Sequence, residues 1–199
     1  MTASIAKSPR LAGIHVPLLL LQSSDAVEIT RKNGTEPEQQ AQAQLEGLIG
    51  KYDLAKWTFT RTVVIDEKTH PPHSHPVLTL NARYVDDDIW QLSTYVHEQL
   101  HWFFVERQEA LRKATDDLRK VYPDVPKGPP EGARDERSTY LHLFVCYVEY
   151  DALKQLAGEE VARAQIEKFA DHHYKWVYRT VLSDGERIRL ILERHSLMP

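Results

Sequence analysis

Between Ile89 and Val105 the chain is apolar on nearly every side of a helix, with Ile89, Trp90, Leu92, Val96, Leu100, Phe103 and Phe104 contributing. A helix of that kind belongs in a core. It nevertheless carries three polar side chains, His97, Glu98 and His101. Residues four apart lie on one helical face, so both imidazoles can reach a single metal ion. Glu98 is rotated about 100° from His97 around the axis, where it flanks such an ion and can take a proton from water. An unpaired polar group in this setting costs on the order of 1 to 3 kcal/mol, and a metal ion relieves the cost. The chain's His and Glu frequencies predict the five-residue pattern by chance at roughly 0.04 copies. Two other readings of the same residues stay open. One is a buried helix whose histidines are satisfied by ordinary hydrogen bonds. The other is half of a carboxylate-bridged di-iron site, for which a second Glu-x-x-His is missing.

The flanks carry a resemblance. Thr94, Tyr95, Gln99, Leu100, Trp102 and Phe103 are uncharged or apolar where zincin metallopeptidases are so around their HExxH motif, and the likeness covers about ten residues. The resemblance implies an α+β, zincin-like fold, mostly helical with a small mixed or antiparallel sheet. It also implies Zn2+ on His97 and His101, with Glu98 as general base on an activated water and then as proton donor to the leaving amine. The reaction implied is hydrolysis of a peptide or protein substrate.

A further buried acid lies downstream, in Tyr140-Leu-His-Leu-Phe-Val-Cys-Tyr-Val-Glu-Tyr150, a run apolar except for His142 and Glu149. These two are seven apart and share a helical face. A buried carboxylate needs a cation, a donor or a metal. In the gluzincin branch of the zincins a downstream helical Glu is the third ligand, and Glu149 matches it in type and place. His142 is the rival ligand, and an ion pair of Glu149 with Arg134 or Arg137 is a further reading. Leu153 stands where many gluzincins place an Asp, Asp151 is offset from that place, and Phe104 and Arg107 replace the Gly and His of a metzincin continuation. Zincin peptidases often stabilise an oxyanion with a downstream His or Tyr, a role open here to His172, His173 or Tyr174. The non-catalytic alternative is a degenerate zincin-like metal-binding protein that acts as an interaction module.

The rest of the chain frames this site. Its 199 residues, 42% hydrophobic and 27% charged, suit one soluble domain over 1–199. The formal net charge of −4 and the lack of a basic tract argue against nucleic-acid or membrane-surface partners. A cytoplasmic protein is expected from the single cysteine and the poor export signal in residues 1–24. Cys146, the single cysteine, reads as a core thiol. Residues 1–24 contain an apolar run, Leu11 to Leu21, that His15 and Pro17 interrupt. It is too short to span a bilayer and a poor export signal, so a peripheral ordered segment is expected, with Val16 to Leu21 packed on the core.

Thr35-x-x-Glu38 fits a capping box that opens a helix to about Gly50. Alternation predicts strands over 57–65 and 77–84, the second placed as a substrate-binding edge for an extended peptide. His70, His73 and His75 lie in a proline-bounded loop read as polar surface beside the site. Asp86-Asp87-Asp88 caps the motif helix. A helical continuation stops at Tyr122-Pro123, residues 123–135 form a Pro/Gly-rich loop, and helices follow over about 138–156, 159–170, 176–182 and 186–197.

Overall fold

A computed structural model describes residues 26–199. The expected packing of Val16 to Leu21 and the export reading lie outside them. Three strands, β1 (Glu28–Arg31), β2 (Thr62–Ile65) and β3 (Leu78–Leu80), form one sheet in the order β1-β2-β3. Six helices occupy the rest: α1 (Glu36–Lys51), α2 (Asp88–Val105), α3 (Gln108–Val121), α4 (Glu136–Ala157), α5 (Glu159–His172) and α6 (Lys175–Arg194). The architecture is mixed α and β, with helices dominant.

The expected mixed or antiparallel sheet is corrected to a parallel one, with Ile29 opposite Val63 and Val64 opposite Thr79. Parallel pairing needs crossovers rather than hairpins. Helix α1 supplies the first. The second is the connection 66–77, which has no helix and carries His70, His73 and His75.

Both expected strands are shorter than the alternation suggests. Residues 55–57 form a 3-10 turn, and Gln99 on α2 takes over the next stretch. Its Oε1 accepts from Phe59 N and Thr60 N at 2.8 Å each, while its Nε2 donates to Thr60 O at 2.8 Å. Those backbone groups are therefore satisfied by a side chain, and the ladder starts only at Thr62. After Leu80 the Asn81 Oδ1 accepts from Arg83 N at 3.1 Å, which turns the chain out of the sheet.

The capping box is also altered. Thr35 makes no cap hydrogen bond and donates to Glu67 Oε2 instead, while the buried Glu38 carboxylate accepts from Asn33 N, Asn33 Nδ2, Gly34 N and Glu67 N. Asp87, by contrast, caps α2 by accepting from Trp90 N at 3.0 Å.

The core lies where α2, α4, α5 and α6 meet, and Leu92, Val96, Leu100, Leu143, Phe144, Ile166 and Val177 are fully buried there. Gly158, at φ +93°, ends α4 and starts α5, a turn that a Cβ would strain. The 123–135 loop is pinned rather than free. Pro130 O and Glu131 O accept from Lys175 N and Trp176 N, so the loop caps the first turn of α6. No helix among the described residues is long and apolar enough to cross a membrane.

Candidate metal centre

Helices α2 and α4 cross with their polar faces opposed. Ser93, His97 and His101 recur at four-residue spacing along α2, and His142, Cys146 and Glu149 at four and three along α4. The three imidazoles form a nearly equilateral triangle. Ring centroids are 5.1 Å apart for His97 and His101, 5.4 Å for His97 and His142, and 5.1 Å for His101 and His142. One nitrogen from each lies within 4.8 Å of the other two, a spacing that can hold a metal ion.

Hydrogen bonds behind the rings orient them. His142 Nδ1 donates to the Ser138 carbonyl at 2.7 Å, so its Nε2 is a lone pair. His97 Nδ1 donates to Glu149 Oε2 at 2.8 Å and turns its own Nε2 toward His101 Nε2, 3.3 Å away. Two facing ring nitrogens at that distance need a proton or a cation between them.

Glu149 thus lies behind His97 and not among the imidazole nitrogens. It is 1% exposed, and its two oxygens accept from Ser93 Oγ at 2.5 Å, His97 Nδ1 at 2.8 Å and Tyr178 OH at 3.1 Å. Neither Arg134 nor Arg137 bonds it; Arg134 pairs with Asp135.

A second grouping of His97, Cys146 and Glu149 is also close enough for a metal, but it is wholly buried and shares His97 with the first. Using it would break the hydrogen bonds that satisfy Glu149. The three-imidazole grouping leaves them intact.

The charges follow from this arrangement. Burial opposes the charged form of His97, yet the Glu149 carboxylate lifts its pKa well above the ordinary value. Burial and the neighbouring charge on His97 push His101 well below, and the same two causes take His142 down to about 3. In the metal-free site, one proton therefore sits on His97 and is shared toward a neutral His101. Glu98 is 8% exposed and accepts no hydrogen bond among the described residues. Burial raises its pKa to about 7, against the pull of His97 and with a push from Glu149.

The downstream candidates separate. The Tyr174 ring lies 4.4 Å from His142 and 6.3 Å from His97, held at φ 48° at the start of α6. His173 packs on Phe169, Tyr174 and Tyr178, one layer behind, and His172 packs on Trp90 outside the triangle. From the proline-bounded loop, His75 stacks on Trp102 at 4.2 Å and its charge reaches His101.

Ser93 and Tyr178 are the members that the sequence did not single out. Ser93 was readable in principle, four residues before His97 on the same face; Tyr178 had no such signal. No protein-family model, curated protein or solved structure matches the chain.

Proposed function

We propose that this chain is a zinc-dependent metallopeptidase whose ion is held by Nε2 of His97, His101 and His142. Glu149 then orients His97 instead of serving as the third ligand expected from the gluzincin pattern. The observation that carries the reading is the convergence of three imidazoles, two of them fixed by Nδ1 hydrogen bonds so that Nε2 faces the common point. Neutral imidazole suits zinc, and a carboxylate behind a ligand histidine is the usual means of fixing its tautomer and raising its basicity.

Bound zinc supplies Lewis-acid polarisation of a carbonyl and a water acidified to near neutrality. Glu98 does the proton work. Its carboxylate takes a proton from water, and the resulting acid returns it to the leaving nitrogen. The Tyr174 hydroxyl stays protonated because burial raises its pKa, so it is a donor toward developing oxyanion charge. His173 supports Tyr174 by packing, and His172 has no part.

One observation favours the non-catalytic reading. The outer edge of β3 is already occupied, since His73 N donates to Thr79 O at 3.0 Å and Thr79 N donates to His73 O at 2.8 Å. An extended peptide has no free backbone groups to pair with at Thr79, so the strand-addition mode expected for a peptidase is closed there. A metal-binding interaction module does not need that edge.

The two readings part in an assay of zinc-loaded protein on a mixed-sequence fluorogenic peptide pool. The peptidase reading expects cleavage that falls about 10²- to 10⁴-fold in Glu98→Gln at unchanged zinc content. Full zinc occupancy without cleavage favours the module, and cleavage equal in Glu98→Gln removes Glu98 from the mechanism.

A further inference from the structure

A depression of about 530 Å³ lies away from the histidine triangle, where the carboxyl ends of β2 and β3 meet the start of α1. Pro37, Glu67, Lys68, His70, Asn81 and Arg83 line it. In open parallel sheets the crevice beyond the carboxyl ends of the strands is where ligands bind, because connections splay apart there. Its volume falls in the range of small-molecule sites.

Asn81 supplies the argument for a ligand. It is only 5% exposed. Its Oδ1 accepts from Arg83 N, while its Nδ2 has no hydrogen-bond partner among the described residues. Asn81 lines the depression, and its amide nitrogen is not sealed from solvent, so it is open to an acceptor on a ligand. Two cations stand at the same rim. Lys68 makes no ion pair among the described residues, and the Arg83 guanidinium faces only His70 Nε2, 3.3 Å away. Against them is one carboxylate, Glu67, whose Oε2 is taken by the Thr35 hydroxyl. Of the acids beneath the rim, Asp66 is paired with Lys32 at 2.6 Å, and Glu38 keeps its charge with its oxygens taken by four N–H donors. The surplus at the rim is of donors and positive charge.

We propose that this depression binds the anionic group of a small phosphate- or carboxylate-bearing molecule, with the Asn81 Nδ2 amide donating to it and Lys68 and Arg83 neutralising it. Charge-assisted bonds from a fork-shaped guanidinium and an ammonium suit either group.

The test is calorimetric titration of chelator-treated protein with inorganic phosphate and, separately, with acetate at constant ionic strength. Chelation keeps the histidine centre from contributing an anion site of its own. Asn81→Asp keeps the oxygen that turns the chain at Arg83 and replaces only the amide donor with a negative charge. We expect saturable binding of at least one anion to wild type, weakened at least about tenfold in Asn81→Asp and in Lys68→Met/Arg83→Met. Tighter phosphate than acetate assigns a phosphate-bearing ligand, and the reverse assigns a carboxylate. Absence of saturable heat for both anions overturns the proposal, as does unchanged binding in Asn81→Asp. Should Asn81→Asp fail to fold by circular dichroism, the Lys68→Met/Arg83→Met protein decides by the same criterion.

Discussion

Glu149 shows how far a single residue can be read without coordinates. Its burial in an apolar run demands a donor or cation, and three donors meet it: Ser93, His97 and Tyr178. What its spacing cannot say is whether it faces the metal point or stands behind it, because that depends on the depth at which α4 crosses α2. Two helical turns decide the matter, and His142, seven residues earlier, reaches the triangle instead. His97 and His101 were legible because both imidazoles sit on one turn of one helix and need no tertiary information. The same residues predict that Glu149→Gln is costly without being lethal to the site. A glutamine there keeps an acceptor but loses the charge that raises the basicity of His97. Zinc affinity is expected to fall about 10- to 100-fold, read by competition with a chromophoric chelator. Unchanged affinity would remove Glu149 from the metal's support.

At the scale of elements, helices were more legible than strands. The apolar faces of α2 and α4 extend over many turns and survive in any context, and the proline after α3 marks its end. Strand β1 is Glu-Ile-Thr-Arg, with one apolar residue and an exposed edge, so no periodicity announces it. Direction was invisible too. Alternation over 57–65 and 77–84 says nothing of parallel or antiparallel pairing, which is set by α1 and by the connection 66–77.

The hydrogen bonds of the 123–135 loop to the start of α6 make it a pinned connector. A Cβ on Gly132 would meet Pro126 O at 2.5 Å and Thr139 Oγ1 at 2.7 Å. Gly132→Ala is therefore expected to destabilise the protein by about 1 to 3 kcal/mol in urea denaturation, with loosening of the α6 start beside Tyr174. A midpoint equal to wild type would mean that the loop yields freely.

For the whole molecule, the buried histidines set the acid limit. Burial, reinforced by the charge on His97, lowers His173 from 6.5 to about 4. Between those values the unfolded chain binds a proton that the folded chain does not, so the stability that depends on a neutral His173 is full above pH 6.5 and is lost as pH falls toward 4. His142, lowered to about 3, acts in the same direction. Glu98, raised to about 7, and His97, raised well above 6.5, act in the opposite direction. Metal-free protein is expected to lose up to about 3 kcal/mol over this window through His173, measured as denaturation midpoints in urea from pH 7 to pH 4. His173→Gln should gain stability relative to wild type by about that amount between pH 7 and pH 4. An equally steep profile in the variant would place the acid sensitivity elsewhere.

The central claim is that three imidazoles, from α2 and α4, define the metal point. It is tested most directly by zinc content and affinity of wild type, His142→Ala and Glu149→Gln side by side. One zinc per chain in wild type is predicted, with the largest loss of affinity in His142→Ala and a smaller one in Glu149→Gln. Zinc bound equally by His142→Ala and wild type, with loss confined to Glu149→Gln, would contradict the claim and return the third ligand to Glu149.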